Sequence, residues 1–365
     1  MSPVGSLRDR DRVNRAMLDQ TKPTVSVIIK ALNEEDHIAG AIESALAATV
    51  GMNAEIILAD SLSTDRTVEI AKSHPVRILS LIRPEDRSCG VGPQLGYQYS
   101  RGDYVCLIDG DMRLYGDFLR AALECLDRNP KLAGVGGIIV EREEENLEYV
   151  KRASRDEPDR RPGLVTRLDC GGVYRRSAIE SVGYFSDRNL HGGEEFDLGA
   201  RLHARGWALA RIDRPAIDHF GHQGSAYALL LRRVVSRVAL GAGEGLRAAI
   251  GQEHFWFVIR HQGRAFALWL AVYAWWITFA VVPWLADTDL HAAAVRAALI
   301  LLPIVVMIVR CRSVSVGVYS VVAWNVSAAC FIPGLLRRRV DPRLWIESRP
   351  VQSDQAVARE WVAAS

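Results

Sequence analysis

The sequence lacks any pair of cysteines at a CxxC or zinc-type spacing: Cys89, Cys106, Cys125, Cys170, Cys311 and Cys330 are scattered. That pattern speaks against a zinc ribbon or a disulfide-stapled framework and for reduced thiols in a cytosolic compartment. A dominant charge is also missing: 45 basic and 43 acidic residues leave a net charge of +2. Nothing in that balance pulls the chain toward nucleic acid, and none is expected as a partner. The opening MSPVGSLRDRDRVNR has no apolar centre, so it does not read as a signal peptide. At 365 residues the chain is long enough for one large domain or two small ones.

Charge is absent from three long stretches near the C-terminus. Residues 265–286, AFALWLAVYAWWITFAVVPWLA, are uncharged and as a helix would cross a hydrocarbon core of about 30 Å. Their tryptophans suit an interfacial belt. Residues 297–309 are uncharged but shorter, and need Ala292–Val295 and Arg296 to span. Residues 313–336 are again free of charge but hold Asn325 and Pro333. The expectation is a membrane-embedded region with two or three crossings. Arg260 and Arg264 place the start of the first span inside, and Asp287 and Asp289 place its end outside. The cluster Arg337-Arg338-Arg339 also favours the inside, which three full crossings would deny it. Upstream, LLLRRVVSRVALGAGEGLRAAIG (229–251) interleaves arginines with apolar residues, as an element lying in the membrane surface or an ordinary domain helix would.

The first two thirds alternate differently. VSVII (25–29), EIILAD (55–60), VRILSLI (76–82), YVCLID (104–109) and LAGVGGIIVE (132–141) read as buried strands, separated by segments of helical spacing. Thr64 is placed to cap the helix after the second strand. Such alternation predicts an α/β fold, a mainly parallel sheet flanked by helices. Ligands bind such sheets at the carboxyl ends of the strands, where Asp60 and Asp109 lie. The charged run 141–162 reads as a solvated loop or as a segment over an acceptor site.

Two carboxylates around a glycine, Asp109-Gly110-Asp111, end the fourth apolar run. Their natural partner is a hard divalent cation bridging phosphates. With VSVIIKALNEE, EIILADSLSTDRTVEIA, IDGD, GGVYRRSAIESVGYF and GGEEFDLGARLHARGW in this order, the chain over about residues 24–222 resembles a family-2 glycosyltransferase of the GT-A fold. The resemblance implies that Lys30, Ala31 and Leu32 line the nucleobase, Glu34 the ribose, and that Asp60 accepts the base's ring N–H. Asp109 and Gly110 would contact ribose and phosphate. Asp111, with Asp109, would hold Mn²⁺ or Mg²⁺, and His219 or His222 would lie near the diphosphate. Glu195, beside Glu194, would be the general base. The first loop departs from the family pattern, with Lys30 and Leu32 where proline and tyrosine are usual. Ser61 replaces a second acid, Pro93-Gln94 an arginine–asparagine pair, and Glu195 the commoner aspartate.

Five regions follow: an extension (1–23), the GT-A domain (24–225), an amphipathic interfacial segment (226–262), a membrane domain (263–336) and a tail (337–365). The expected protein is a multi-pass enzyme of the cytoplasmic membrane with its catalytic domain in the cytoplasm. Its donor would be a nucleotide-sugar, a UDP-sugar first, and its acceptor a hydroxyl of a lipid-linked molecule. Transfer to polyprenyl phosphate, which needs no base, and a non-catalytic scaffold are the alternatives. A QxxRW motif, expected of a processive synthase, is missing. Oligomeric state is left open.

Overall fold

The computed structural model describes residues 24–142, 158–169, 171–221, 225–285 and 288–352. The 1–23 extension, most of the charged 141–162 run, Cys170, His222 and the end of the tail lie outside the described residues. The chain begins β1 (Val25–Ala31), α1 (Ile38–Ala48), β2 (Ala54–Asp60), α2 (Thr67–Ala71), β3 (Arg77–Leu81), α3 (Val91–Tyr99), β4 (Tyr104–Asp109). It continues with β5 (Met112–Leu114), α4 (Gly116–Arg128), β6 (Leu132–Glu141), β7 (Gly163–Val165), β8 (Gly172–Arg175), α5 (Arg176–Ser181), α6 (Glu194–Ala204) and β9 (Ala208–His219).

These strands, with a tenth described below, form one sheet in the order β10-β3-β2-β1-β4-β8-β6-β9-β5, with β7 on β9. The half β3-β2-β1-β4 is parallel. Beyond β4 the sheet is mixed: β8 runs antiparallel to both β4 and β6, while β6 and β9 are parallel. The parallel strands are apolar almost throughout because both faces are covered. One face packs Val27, Ile29 and Leu58 against Ile38 and Ile42 of α1 and Phe118 of α4. The other packs Ile57 and Leu79 against Val91 and Leu95 of α3. Each such side chain removed from water contributes about 1.5–3 kcal/mol.

The start of α2 differs from expectation. Asp65, not Thr64, serves it: Asp65 Oδ1 accepts from the Thr67 amide at 3.0 Å, while the Thr64 amide donates to Asn33 Oδ1 at 2.7 Å. A carboxylate two residues ahead reaches a free first-turn N–H, and Thr64 is drawn to the neighbouring loop.

After β9 come α7 (Ala226–Val235), a short turn, α8 (Gly241–Ala249) and three long helices, α9 (Phe255–Leu285), α10 (Asp289–Cys311) and α11 (Val314–Leu336). All three are long and apolar enough to cross a membrane. Helix α7 exposes Leu231 and Val235 beside Arg232, as an interfacial element would. Helix α8 lies instead against α11. A Cβ on Gly243 would come within 2.1 Å of the Phe331 carbonyl, so only glycine permits that approach. The chain then returns to the sheet, where β10 (Ser348–Gln352) pairs antiparallel with β3.

Candidate active site

The loops after β1 and β2 are tied together at the carboxyl edge of the sheet. The Asn33 amide donates to Ser63 Oγ at 2.9 Å, that of Glu34 to Thr67 Oγ1 at 2.7 Å and that of Glu35 to Asp65 Oδ2 at 3.1 Å. Leu62 has φ 63°, a left-handed conformation strained for a leucine. Asp60 closes β2 and is buried. Its Oδ1 accepts from the Ser63 amide at 3.0 Å and its Oδ2 from the Ser80 hydroxyl at 2.7 Å.

Asp109-Gly110-Asp111 follows β4. A Cβ on Gly110 would lie 2.8 Å from Glu34 Cγ, so a larger residue there would displace the Glu34 side chain. Glu34 therefore folds over the turn, beside both aspartates. Burial, and then the charges of Asp111 and Asp109, push its pKa up to about 8. Asp111 is raised to about 6 by burial and by Asp109, against the pull of His219. His219, the last residue of β9, has Nε2 at 3.7 Å from Asp111 Oδ2 and Nδ1 at 2.5 Å from Glu141 Oε2. Burial opposes its charge, but Glu141 and Asp111 more than offset this and raise its pKa.

Asp111 Oδ1 is buried and has no hydrogen-bond partner among the described residues. A buried carboxylate oxygen without a donor is costly, and a cation would satisfy it. Among the described residues no three His, Cys, Asp or Glu side chains converge as a metal cage. Mg²⁺ and Mn²⁺ take one or two protein carboxylates and complete their shell with phosphate and water. Asp109 and Asp111, with His219 alongside, fit such an ion.

Lys30 and Ala31 are successive residues of β1 and so point to opposite faces. Ala31 is the register partner of Asp60, and Lys30 that of Asp109. The Lys30 ammonium lies 3.3 Å from Asp109 Oδ1 and 3.2 Å from Glu194 Oε1. Burial works against it, yet Asp109, Glu194 and Glu195 hold its pKa well above the ordinary lysine value. Leu32 is exposed at the edge of the loop.

Glu194 and Glu195 open α6, where acids are favoured by the helix dipole. Gly193 precedes them at φ 80°, a conformation that turns the chain into the helix. Glu194 is committed to Lys30. Glu195 makes no hydrogen bond or ion pair with the described residues. Burial and the neighbouring Glu194 raise its pKa to about 8, with Lys30 opposing.

The structure thus brings Lys30, Glu34, Asp109, Gly110, Asp111, His219, Glu194 and Glu195 to one end of the sheet, with Ala31, Leu32 and Asp60 beside them. His222 is outside the described residues. Sequence reasoning missed Glu141, whose role shows only when β6 and β9 pair. It also missed Gln94, whose side-chain oxygen accepts from the Phe185 and Ser186 amides at 3.0 Å and so holds the segment leading to α6.

Comparison with known proteins bears on the family and the fold. Residues 26–183 match the family model "Glycosyl transferase family 2". A Methanococcus voltae protein, dolichyl N-acetyl-alpha-D-glucosaminyl phosphate 3-beta-D-2,3-diacetamido-2,3-dideoxy-beta-D-glucuronosyltransferase, is 25% identical over 239 residues, 61% of this chain and 73% of its own. The low-salt glycan biosynthesis hexosyltransferase Agl6 of Haloferax volcanii is 40% identical over 91 residues, 24% of this chain but only 21% of its own. The solved mannosyltransferase PcManGT of Pyrobaculum calidifontis, in complex with GDP-Man and Mn²⁺, superposes with a TM-score of 0.55 at 17% identity, over 85% of this chain and 87% of its own, a likeness of fold. The protein carries a glycosyltransferase domain on a GT-A-type mixed sheet, followed by three long apolar helices. That domain belongs to glycosyl transferase family 2.

Proposed function

We propose that the protein is an inverting, metal-dependent transferase that moves one sugar from a nucleotide-sugar, a UDP-sugar first, to a hydroxyl of a lipid-linked acceptor at the cytoplasmic face of a membrane. One observation carries this reading. Of the two acids opening α6, Glu194 is neutralised by Lys30, while Glu195 makes no hydrogen bond or ion pair with the described residues. A scaffold would have no use for an unpaired carboxylate whose ionisation is so costly. The membrane helices and the dolichyl-linked acceptor in the name of the Methanococcus voltae relative support a lipid-linked acceptor.

In this mechanism Glu195 accepts the proton of the acceptor hydroxyl. The acceptor oxygen then bonds to the anomeric carbon from the face opposite the leaving group. The bond from that carbon to the phosphate oxygen breaks, and its electron pair departs with the nucleoside diphosphate. Asp109, Asp111 and His219 would hold the divalent ion, which when bound neutralises the diphosphate's growing charge. Lys30 keeps Glu194 fixed beside the base and Asp109 in place under the donor. Asp60 receives the base.

The test is transfer by purified Glu195→Gln. We expect a fall of about 10²–10⁴-fold with donor binding retained. Wild-type transfer by this variant would mean an acceptor that needs no deprotonation, such as polyprenyl phosphate. In parallel, Asp111→Asn should lose metal-dependent binding of nucleoside diphosphate while remaining folded.

A further inference from the structure

The edge strand β10 is contributed by chain that has already passed through all three long helices, and it reaches the base-reading end of the site. Its Arg349 is the register partner of Ser80 on β3, and Ser80 is that of Asp60 on β2. Laterally paired residues project to the same face of a sheet. Ala31, Asp60, Ser80 and Arg349 therefore form one row across four strands. The Ser80 hydroxyl, at 2.7 Å from Asp60 Oδ2, fixes the carboxylate in that row. An open cavity of about 410 Å³ lies against it, bordered by Asp60, Leu62, Ser80, Lys72, Arg349 and Val351. The Arg349 guanidinium is exposed and makes no hydrogen bond or ion pair with the described residues.

We propose that Arg349 is a second reader of the donor base, and that the donor is a nucleoside diphosphate sugar whose base carries a ring N–H beside a carbonyl, as uracil and guanine do. This rests on the donor reading above. Each Asp60 oxygen keeps a lone pair after its present hydrogen bond, so the carboxylate can accept the ring N–H. The guanidinium, a donor only, serves the adjacent carbonyl. Cytosine and adenine present a ring nitrogen acceptor at that position, which the carboxylate repels. A charge-assisted donor at the mouth of a cavity gives both affinity and discrimination. It also makes base selection depend on the chain beyond the membrane helices, a segment outside residues 26–183 of the family match.

The experiment uses the full-length protein in detergent with Mn²⁺. Calorimetric titration with UDP, GDP, CDP and ADP is compared between wild type, Arg349→Ala and Arg349→Lys. Wild type should favour UDP or GDP. Arg349→Ala should weaken that nucleotide about tenfold, narrow its advantage over CDP and ADP, and leave the melting temperature without ligand unchanged. Arg349→Lys should recover part of the loss. Unaltered affinities in Arg349→Ala, or an equal loss for all four nucleotides, would each overturn the proposal while leaving the donor reading intact; a wild-type preference for CDP or ADP would overturn the proposal and the UDP-sugar assignment, leaving a nucleotide-sugar donor. Wild type binding none of the four would instead overturn the donor reading itself.

Discussion

At the scale of single residues, the site stores charge that the fold resists. Glu34 and Glu195 are both raised from ordinary carboxylate values to about 8. An acid whose pKa is raised by folding stabilises the native state while it stays neutral, and that contribution is lost as pH climbs toward the folded pKa. His219, also raised, acts in the same direction because its protonated form is the one held by Glu141 and Asp111. The melting temperature of ligand-free protein should therefore fall as pH rises from about 4.5 to about 8. Adding Mn²⁺ with the preferred nucleoside diphosphate should shrink the fall, because a cation beside Asp109 and Asp111 lowers the cost of ionising Glu34. Differential scanning fluorimetry across that range decides it, and a melting temperature that is flat or rises with pH would contradict this account of the site. Activity runs the other way. The base works only when ionised, so kcat/KM for transfer should rise with pH through about 8 and then level off. A pH–rate profile with no limb there would remove Glu195 from the role of base.

At the scale of elements, the start of α6 is held from the side of the long apolar helices. Glu244 of α8 is fully buried. It accepts from the His191 amide at 2.8 Å, lies 3.0 Å from His191 Nδ1 and pairs with Arg337 Nη1 at 2.9 Å. Burial works against its charge, yet His191 and Arg337 keep its pKa below the usual value. Only Gly192 and Gly193 separate His191 from Glu194, so three elements converge on the approach to the base. Glu244→Ala would strand His191 and Arg337, and removing one partner of a buried pair costs about 3–5 kcal/mol. We expect a lower melting temperature and a reduced kcat with an unchanged KM for the donor, and Glu244→Gln should restore part of kcat. A loss of stability with kcat intact would reduce the cluster to a packing feature. None of this was legible beforehand, because Glu244 sits among glycines in a segment whose pattern fitted a membrane-surface element and an ordinary domain helix alike. What was legible is what depends on local order: the strand ends carrying Asp60 and Asp109, the glycine between two acids, and the paired glutamates opening a helix. The resemblance to the family placed Lys30 with Ala31 and Leu32 at the nucleobase. The alternation of side chains along β1 instead sends it to the opposite face, between Asp109 and Glu194. The antiparallel strand β8 was hidden because Gly172–Arg175 is too short to show a period of its own.

At the scale of the whole molecule, the two ends of the helical region meet the same domain. Helix α9 leaves it at Phe255, where Val258 packs with Ala200 of α6. Helix α11 comes back to it: Arg337 reaches Glu244, Arg339 Nη2 lies 2.9 Å from Asp187 Oδ2, and β10 joins β3. The two helices also run antiparallel along each other. Trp269 stacks on Phe331 at 4.7 Å, Tyr273 donates to the Ala328 carbonyl at 2.6 Å, and Trp276 donates to Asn325 at 2.7 Å, so rising numbers in one meet falling numbers in the other. If α9 crosses away from the catalytic domain, α11 crosses back, and the number of full crossings is even. Helix α10, whose Pro303 interrupts its hydrogen bonding, then begins and ends on the far face. This resolves the tension in the charge pattern, because Arg337, Arg338 and Arg339 share a side with Arg260 and Arg264 as the positive-inside rule favours. Cysteines introduced singly as Thr288→Cys and Ser313→Cys should react with a membrane-impermeant maleimide from the same face. Arg338→Cys should react only from the opposite one, with wild type correcting for native thiols. Three full crossings would instead put Thr288 and Ser313 on opposite faces and Arg338 outside. That arrangement would carry the tail across the bilayer from β3, so it cannot coexist with a base pocket that Arg349 completes.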